Sequence, residues 1–338
     1  MTSPEILSRR GFIAGLSAMA AATRIGYAAE SGRANAGPII DVHAHFQPAV
    51  LKALGMPGPM AAWSLQKHLD DMGAAGVTRS MLSITTPGVP ETGERARTLA
   101  RGTNEDAAKL ASDNGGKLGY FIAVPMDDTD AALKEIEYGF DVLKAPGVGL
   151  YTSYGAQWLG DKRFDPVFEE LNRRKAIVYV HPNTATCCTR LIPEVADTAI
   201  EFGTDTTRAI ASYIYRGAAK RYPNVRMIWS HSGGTMPFLI ERFEFLDRGP
   251  AAKAQAPEGF RAAIGRFYYD IAQSTNPVPS RALRQLVPVE NIVFGSDYPF
   301  RTCLEHVQGL ESAKVYTGAE LKGIYAGNVG KSLPELLR

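Results

Sequence analysis

Cysteine is scarce in this sequence, with three among 338 residues: Cys187 and Cys188 adjacent, and Cys303 alone. An odd number with two neighbours is not a disulfide framework, and a Cys-Cys metal site lacks further soft ligands nearby in sequence. Free thiols packed as small apolar groups are therefore expected, with a strained vicinal bridge as the alternative. Charge of one sign is missing too. Lys and Arg number 37 against 35 for Asp and Glu, and no run of like charge stands out. That balance argues against nucleic acid and anionic membrane surfaces as partners. No stretch beyond the N-terminal region reaches about 18 uninterrupted apolar residues, so no membrane span is expected in the mature protein.

What is present is the composition of a globular chain, 45% apolar and 21% charged, with material for a sizeable core. Residues 1–28 stand apart. Ser8-Arg9-Arg10-Gly11-Phe12-Ile13 is a twin-arginine pattern, a small apolar stretch runs from Ala14 to Ala22, and Gly26-Tyr27-Ala28 offers the small residues of a cleavage site. The expectation is a Tat export signal over 1–28, a linker over 29–37, one domain over 38–338 and a periplasmic product. A cytosolic leader with a chance arginine pair is the alternative. Loss of Glu5, Arg9, Arg10 and Arg24 with the signal leaves equal numbers of basic and acidic residues.

Eight β-branched or aromatic runs recur along the domain: 39–43, 80–84, 118–124, 148–152, 176–181, 225–231, 267–271 and 292–297. Helical patterns lie between them. Ser64 precedes apolar residues at helical spacing through Met72, Asp165-Pro166 reads as a cap and first-turn pair, and 130–143 and 197–221 are longer helices. Strand-helix alternation repeated eight times predicts a (β/α)8 barrel of the TIM type.

Several runs end in a chemically competent residue, namely His43 with His45, His181, His231 and Asp297. In a barrel those ends converge on one mouth, where residues remote in sequence share a site. His43 and His45, two apart on an extended chain, face the same side and reach one ion. A lone His or Asp at a strand end is as often structural as functional. Four of only six histidines at such ends shift the reading to a metal centre for Zn, Mn or Fe. His68 and His306 fall in helical stretches with no motif around them and read as surface or second-layer residues.

The set Asp41-Val42-His43-Ala44-His45, Val180-His181-Pro182, His231-Ser232-Gly233-Gly234, Phe294-Gly295-Ser296-Asp297-Tyr298-Pro299 and Gly327-Asn328 resembles the amidohydrolase-related family that contains aminocarboxymuconate-semialdehyde decarboxylase. The stretch 143–152, with Phe164-Asp165-Pro166 and Leu171-Asn172-Arg173-Arg174-Lys175, is most similar to its 6-methylsalicylate decarboxylase branch. The resemblance implies one divalent metal, zinc first and manganese second, held by His43, His45, His181 and Asp297. His231 is implied as an acid/base group beside it. Binuclear relatives place a carboxylated Lys or a Glu after the fourth strand, where this chain has Tyr151, Thr152 and Ser153. Lys144 precedes that strand, at the wrong edge.

Arg242 stands where family members carry an arginine for the substrate carboxylate, sometimes across a dimer interface, and a homodimer or higher oligomer is expected. A plain helix-surface arginine beside Glu241 and Glu244 is the alternative. The implied activity is nonoxidative decarboxylation of a small aromatic carboxylate, with His231 or Asp297 as proton donor. Hydrolysis of a lactone, ester or amide uses the same ligands and is the rival.

The leader generates a prediction of its own. A reporter fused to residues 1–30 reaches the periplasm, and Arg9→Lys with Arg10→Lys blocks it, because an ammonium does not replace a planar guanidinium in recognition. Undiminished export of the double-lysine reporter contradicts the signal.

Overall fold

Each of the eight runs overlaps a strand in the computed structural model, which describes residues 37–338 apart from positions 53, 56, 57, 90 and 91; the second strand begins three residues before its run, at Val77, and the first continues past its run to His45. The expected signal over 1–28 and nearly all of the linker over 29–37 lie outside the described residues. The strands are β1 Ile39–His45, β2 Val77–Ser83, β3 Leu118–Ala123, β4 Gly147–Tyr151, β5 Ile177–His181, β6 Arg226–Trp229, β7 Tyr268–Asp270 and β8 Ile292–Val293. Each pairs in parallel with its sequence neighbour. Helices occupy most of the connections, which is the (β/α)8 arrangement expected.

Closure of the barrel falls on the chain just after β8. Val42 donates to the Phe294 carbonyl at 3.0 Å, Asp297 donates to the His43 carbonyl at 2.8 Å, and His45 donates to the Tyr298 carbonyl at 2.7 Å. Regular strand ends at Val293 rather than running to Asp297. Beyond Val293 the seam consists of these individual hydrogen bonds and one isolated bridge, Ala44 with Tyr298, and on its other side β1 shifts register against β2 between Asp41 and Ala44. Asp41, fully buried, holds the seam. One of its carboxylate oxygens accepts from the His43 and Ser296 amides, each at 3.0 Å, and the other from Ser296 Oγ at 2.6 Å. Burial pushes the Asp41 carboxyl up to about 7 against the pull of those bonds.

Inside the barrel, Ile40, Val42, Met81, Phe121, Ile177 and Ile228 fill the end opposite the histidines, capped by Val329, Leu333 and Leu336 from the C-terminal segment. Arg79 pins that segment by donating to the Leu336 carbonyl at 2.6 Å. Filling of this end leaves the C-terminal ends of the strands as the open mouth.

Three local expectations need correction. The helix begun by Asp197 ends at Tyr215, and a separate turn, Ala218–Arg221, follows Gly217, whose φ of 78° is left-handed and breaks the helix. Asp165 lies inside its helix instead of capping it; Asp161 caps the turn before, accepting from the Arg163 amide at 3.0 Å. Cys187 and Cys188 are bonded to each other, because the 3₁₀ turn Thr186–Cys188 brings their sulfurs together. Cys303 is a buried free thiol, as expected.

Asp41→Ala leaves the Ser296 and His43 donors buried without a partner, which costs about 3 kcal/mol. Urea unfolding measures it, and a loss under about 0.5 kcal/mol contradicts the role of Asp41 in the seam.

Candidate metal centre and its cavity

His43, His45, His181 and Asp297, all buried, bring one ligand atom each to a common point, those atoms lying within 4.8 Å of one another. His43 Nε2 is 3.2 Å from His45 Nε2, and Asp297 Oδ1 lies 3.0 Å from His45 Nε2 and 3.2 Å from His43 Nε2. The other ring nitrogen of each histidine is occupied. His43 Nδ1 meets Asp270 Oδ2 at 2.9 Å, and His181 Nδ1 meets the Pro182 carbonyl at 2.9 Å. Both partners accept only, so each Nδ1 carries the proton. His45 Nδ1 meets Ser83 Oγ at 3.2 Å, and that hydroxyl donates onward to the Ala44 carbonyl at 3.3 Å. With Nδ1 occupied in this way, all three imidazoles turn Nε2 toward the point that Asp297 Oδ1 also faces, and binding an ion there requires each Nε2 as a lone pair. Lone pairs facing one another at about 3 Å repel unless a cation lies among them, and bonds of about 2.0–2.2 Å produce that spacing. The donor set fits a divalent ion.

The electrostatics agree. Burial disfavours charge on His43, but the carboxylates of Asp270 and Asp297 outweigh it and push the imidazole up to about 10. Burial holds His45 low and, aided by its neighbours His45 and His43, holds His181 well below its ordinary range. Burial would raise Asp297, yet His43 and His45 depress it well below the carboxylate range. Without an ion, a proton on His43 supplies the positive charge the site requires.

The loops that carry these residues are shaped by two glycines. A Cβ on Gly295 would lie 2.9 Å from the Cβ atoms of both His43 and Asp270, so glycine there lets the pair stand side by side. A Cβ on Gly234 would meet the Gly203 carbonyl at 2.0 Å. The turn His231-Ser232-Gly233-Gly234, with positive φ at all four residues, thus packs tightly against the helix Asp197–Tyr215. It delivers His231 to the cavity with Nδ1 fixed on the Ala272 carbonyl at 3.0 Å.

The cavity above the cluster measures about 600 Å³. His181, His231 and Asp297 form its floor, and Met60, Phe202 and Phe300 are among its walls. The Phe300 ring lies 5.9 Å from the His45 ring and that of Phe202 6.0 Å from His181, both in T-shaped contacts, so two aromatic rings stand beside the centre. Among the described residues, no lysine or arginine lines it.

Residues 40–328 match the sequence pattern of the amidohydrolase family. The chain belongs to that family. It is 36% identical over 274 residues to 6-methylsalicylic acid decarboxylase of Penicillium expansum, across 77% of this chain and 84% of that protein. It is 32% identical over 320 residues to the decarboxylase yanB of Aspergillus niger, across 87% of each. The crystal structure of a dihydroxybenzoic acid decarboxylase from Polaromonas, with manganese and an inhibitor bound, superimposes with a TM-score of 0.79 at 20% identity, covering 89% of this chain and 98% of that one.

Within this amidohydrolase centre the side chains after the fourth strand are engaged elsewhere. Thr152 and Ser153 donate to Asp205 Oδ2 at 2.5 and 2.7 Å, and Tyr151 donates to the Ile84 carbonyl at 2.8 Å. Lys144 is exposed and donates to the Asp141 carbonyl. Asp270 is the residue that sequence reasoning missed: besides orienting His43 it accepts from the His231 amide at 2.9 Å. Its signal was a carboxylate at the C-terminal end of the seventh apolar run. His68 and His306 are not on the surface. Each faces inward from its helix, 0% and 2% exposed; His68 meets Ser80 Oγ at 3.1 Å, and burial pulls it down to about 4. Arg242 is exposed on the short helix Ile240–Leu246 and does not line the cavity. Glu244 pairs with Arg261 instead, at 2.5 Å.

Two outcomes test the centre. Asp270→Asn removes the charge and leaves one acceptor oxygen where His43 Nδ1 and the His231 and Ala272 amides now use two, and it weakens divalent-metal binding about 10- to 100-fold by metal-buffered titration; unchanged affinity contradicts that role. Because His43 holds its proton up to about 10, an entering ion must displace it, so affinity rises about tenfold per pH unit between pH 7 and 9. A flat profile contradicts the proton-for-metal exchange.

Proposed function

We propose that this enzyme is a metal-dependent, nonoxidative decarboxylase of a small aromatic carboxylate with an ortho hydroxyl, similar to 6-methylsalicylate. The observation that carries the reading is the composition of the cavity: a donor cluster for one cation at the floor, aromatic walls beside it, and His231 facing in. With no lysine or arginine among the described lining residues, the metal centre is the capture point for an anionic group, and Phe202 and Phe300 suit a flat ring. The named activities of the Penicillium and Aspergillus relatives support the same class.

A divalent ion held by His43, His45, His181 and Asp297 supplies charge that binds and polarises the carboxylate and its neighbouring hydroxyl. Decarboxylation then requires a proton on the ring carbon that bears the carboxyl group. His231 is the group placed to deliver it. Its Nδ1 is fixed on the Ala272 carbonyl, which leaves Nε2 to exchange the proton, while Asp297 is engaged by His43, His45 and Gln273. As the C–C bond breaks, its electron pair restores the ring and carbon dioxide departs.

Manganese is favoured over zinc for the ion, supported by the manganese in the Polaromonas structure. We also propose periplasmic export through the leader, and carboxylate binding by Arg242 from a second copy of the chain. Phe238, Phe245 and Leu246, each more than half exposed around Arg242, give such a copy an apolar surface to cover.

Manganese-loaded protein is offered ortho-hydroxybenzoates, lactones and amides in heavy water. The expected result is carbon dioxide from the hydroxybenzoates, with one solvent deuterium at the vacated ring position by proton NMR. His231→Asn lowers turnover by about 10²–10⁴-fold with the metal retained. Cleavage of lactones or amides alone, without carbon dioxide, contradicts the proposal.

A further inference from the structure

The turn that follows β7 serves two residues of the centre at once. Ala272 offers its carbonyl to His231, and the next residue, Gln273, adopts a left-handed backbone with φ of 53°. From there its side-chain amide donates to Asp297 Oδ2. The two oxygens of Asp297 thereby have different partners, since Oδ1 faces the Nε2 atoms of His43 and His45. An oxygen already accepting from an amide is held back from the point where the imidazoles converge. A glutamine in this conformation is strained and persists only where surrounding contacts impose it. His306 imposes it here. Its Nε2 accepts from the Gln273 backbone amide at 2.8 Å and its Nδ1 donates to the Thr302 carbonyl at 2.9 Å, so the buried ring is a neutral post with both ends tied.

We propose that Gln273 is a positioning residue for the metal ion: its amide claims the outer oxygen of Asp297 and limits that side chain to a one-oxygen contact, while His306 fixes the backbone from which the amide reaches. The inference rests on the metal-dependent reading of the site and is independent of which substrate the cavity takes. It gives His306 a purpose that its place on the helix Cys303–Ala313 does not suggest. It also accounts for a polar, uncharged side chain at the rim of a mostly apolar cavity.

Full-length protein stripped of metal and reloaded with Co(II) tests it without reference to turnover, because the visible bands of Co(II) weaken when an additional donor enters. Gln273→Leu removes the donor from a side chain that is already exposed. The expected result is a weaker, shifted cobalt spectrum and a change of about 10-fold or more in the dissociation constant for Mn(II), with thermal stability retained. His306→Leu shifts the spectrum in the same direction, and His306→Gln, which keeps an acceptor, restores the parent spectrum. Gln273→Glu sets a second carboxylate against Asp297 and supplies the same spectral test if the leucine variant does not fold. A parent-like cobalt spectrum in Gln273→Leu or Gln273→Glu, with metal affinity within about twofold, overturns the proposal. Failure of the parent protein to bind cobalt at all overturns the metal centre itself, which separates the two readings.

Discussion

Three imidazole lone pairs and a carboxylate oxygen within one coordination sphere cannot coexist without a positive charge between them, and most of the surrounding structure serves that confrontation. Asp270, Ser83 and the Pro182 carbonyl each occupy the Nδ1 of one ligand, so tautomer and ring direction are decided outside the first ring of contacts. These partners make the centre rigid before any ion arrives. They also explain the His43 proton, which stands in for a cation in an otherwise repulsive cluster.

The barrel seam and the metal centre are one construction. β1 supplies His43 and His45, the chain after β8 supplies Asp297, and the hydrogen bonds that close the barrel run between those same segments. Asp41 braces the seam from below and Gly295 admits Asp270 beside His43. Closing the sheet therefore assembles the ligands, and the filled opposite end ensures that only the mouth is accessible.

Much of this was legible in the sequence because it follows from periodicity and strand ends. Alternation of apolar runs with helical patterns gave the barrel, and histidines at run ends marked side chains that the fold brings together, since parallel strands in a barrel deliver their C-terminal ends to one place. What escaped depends on contacts between remote residues. Asp270 looks like an ordinary strand residue until the fold sets it against His43, and Gln273 carries no charge to single it out. For His68 and His306 the sequence left surface and second-layer placements open, because no local motif marks the buried faces of their helices, and burial decides for the second. The Cys187–Cys188 bond depends on how one tight turn orients two side chains. Arg242 was singled out by family likeness, and within a single chain it does not line the cavity.

The central claim is that one ion sits among His43, His45, His181 and Asp297, with His231 outside its ligand set. Anomalous diffraction from crystals soaked in manganese, recorded above and below the manganese edge, tests it directly. The account predicts one peak per chain, bounded by the three Nε2 atoms and Asp297 Oδ1. Two peaks in the barrel mouth, or one peak ligated by His231, would contradict it.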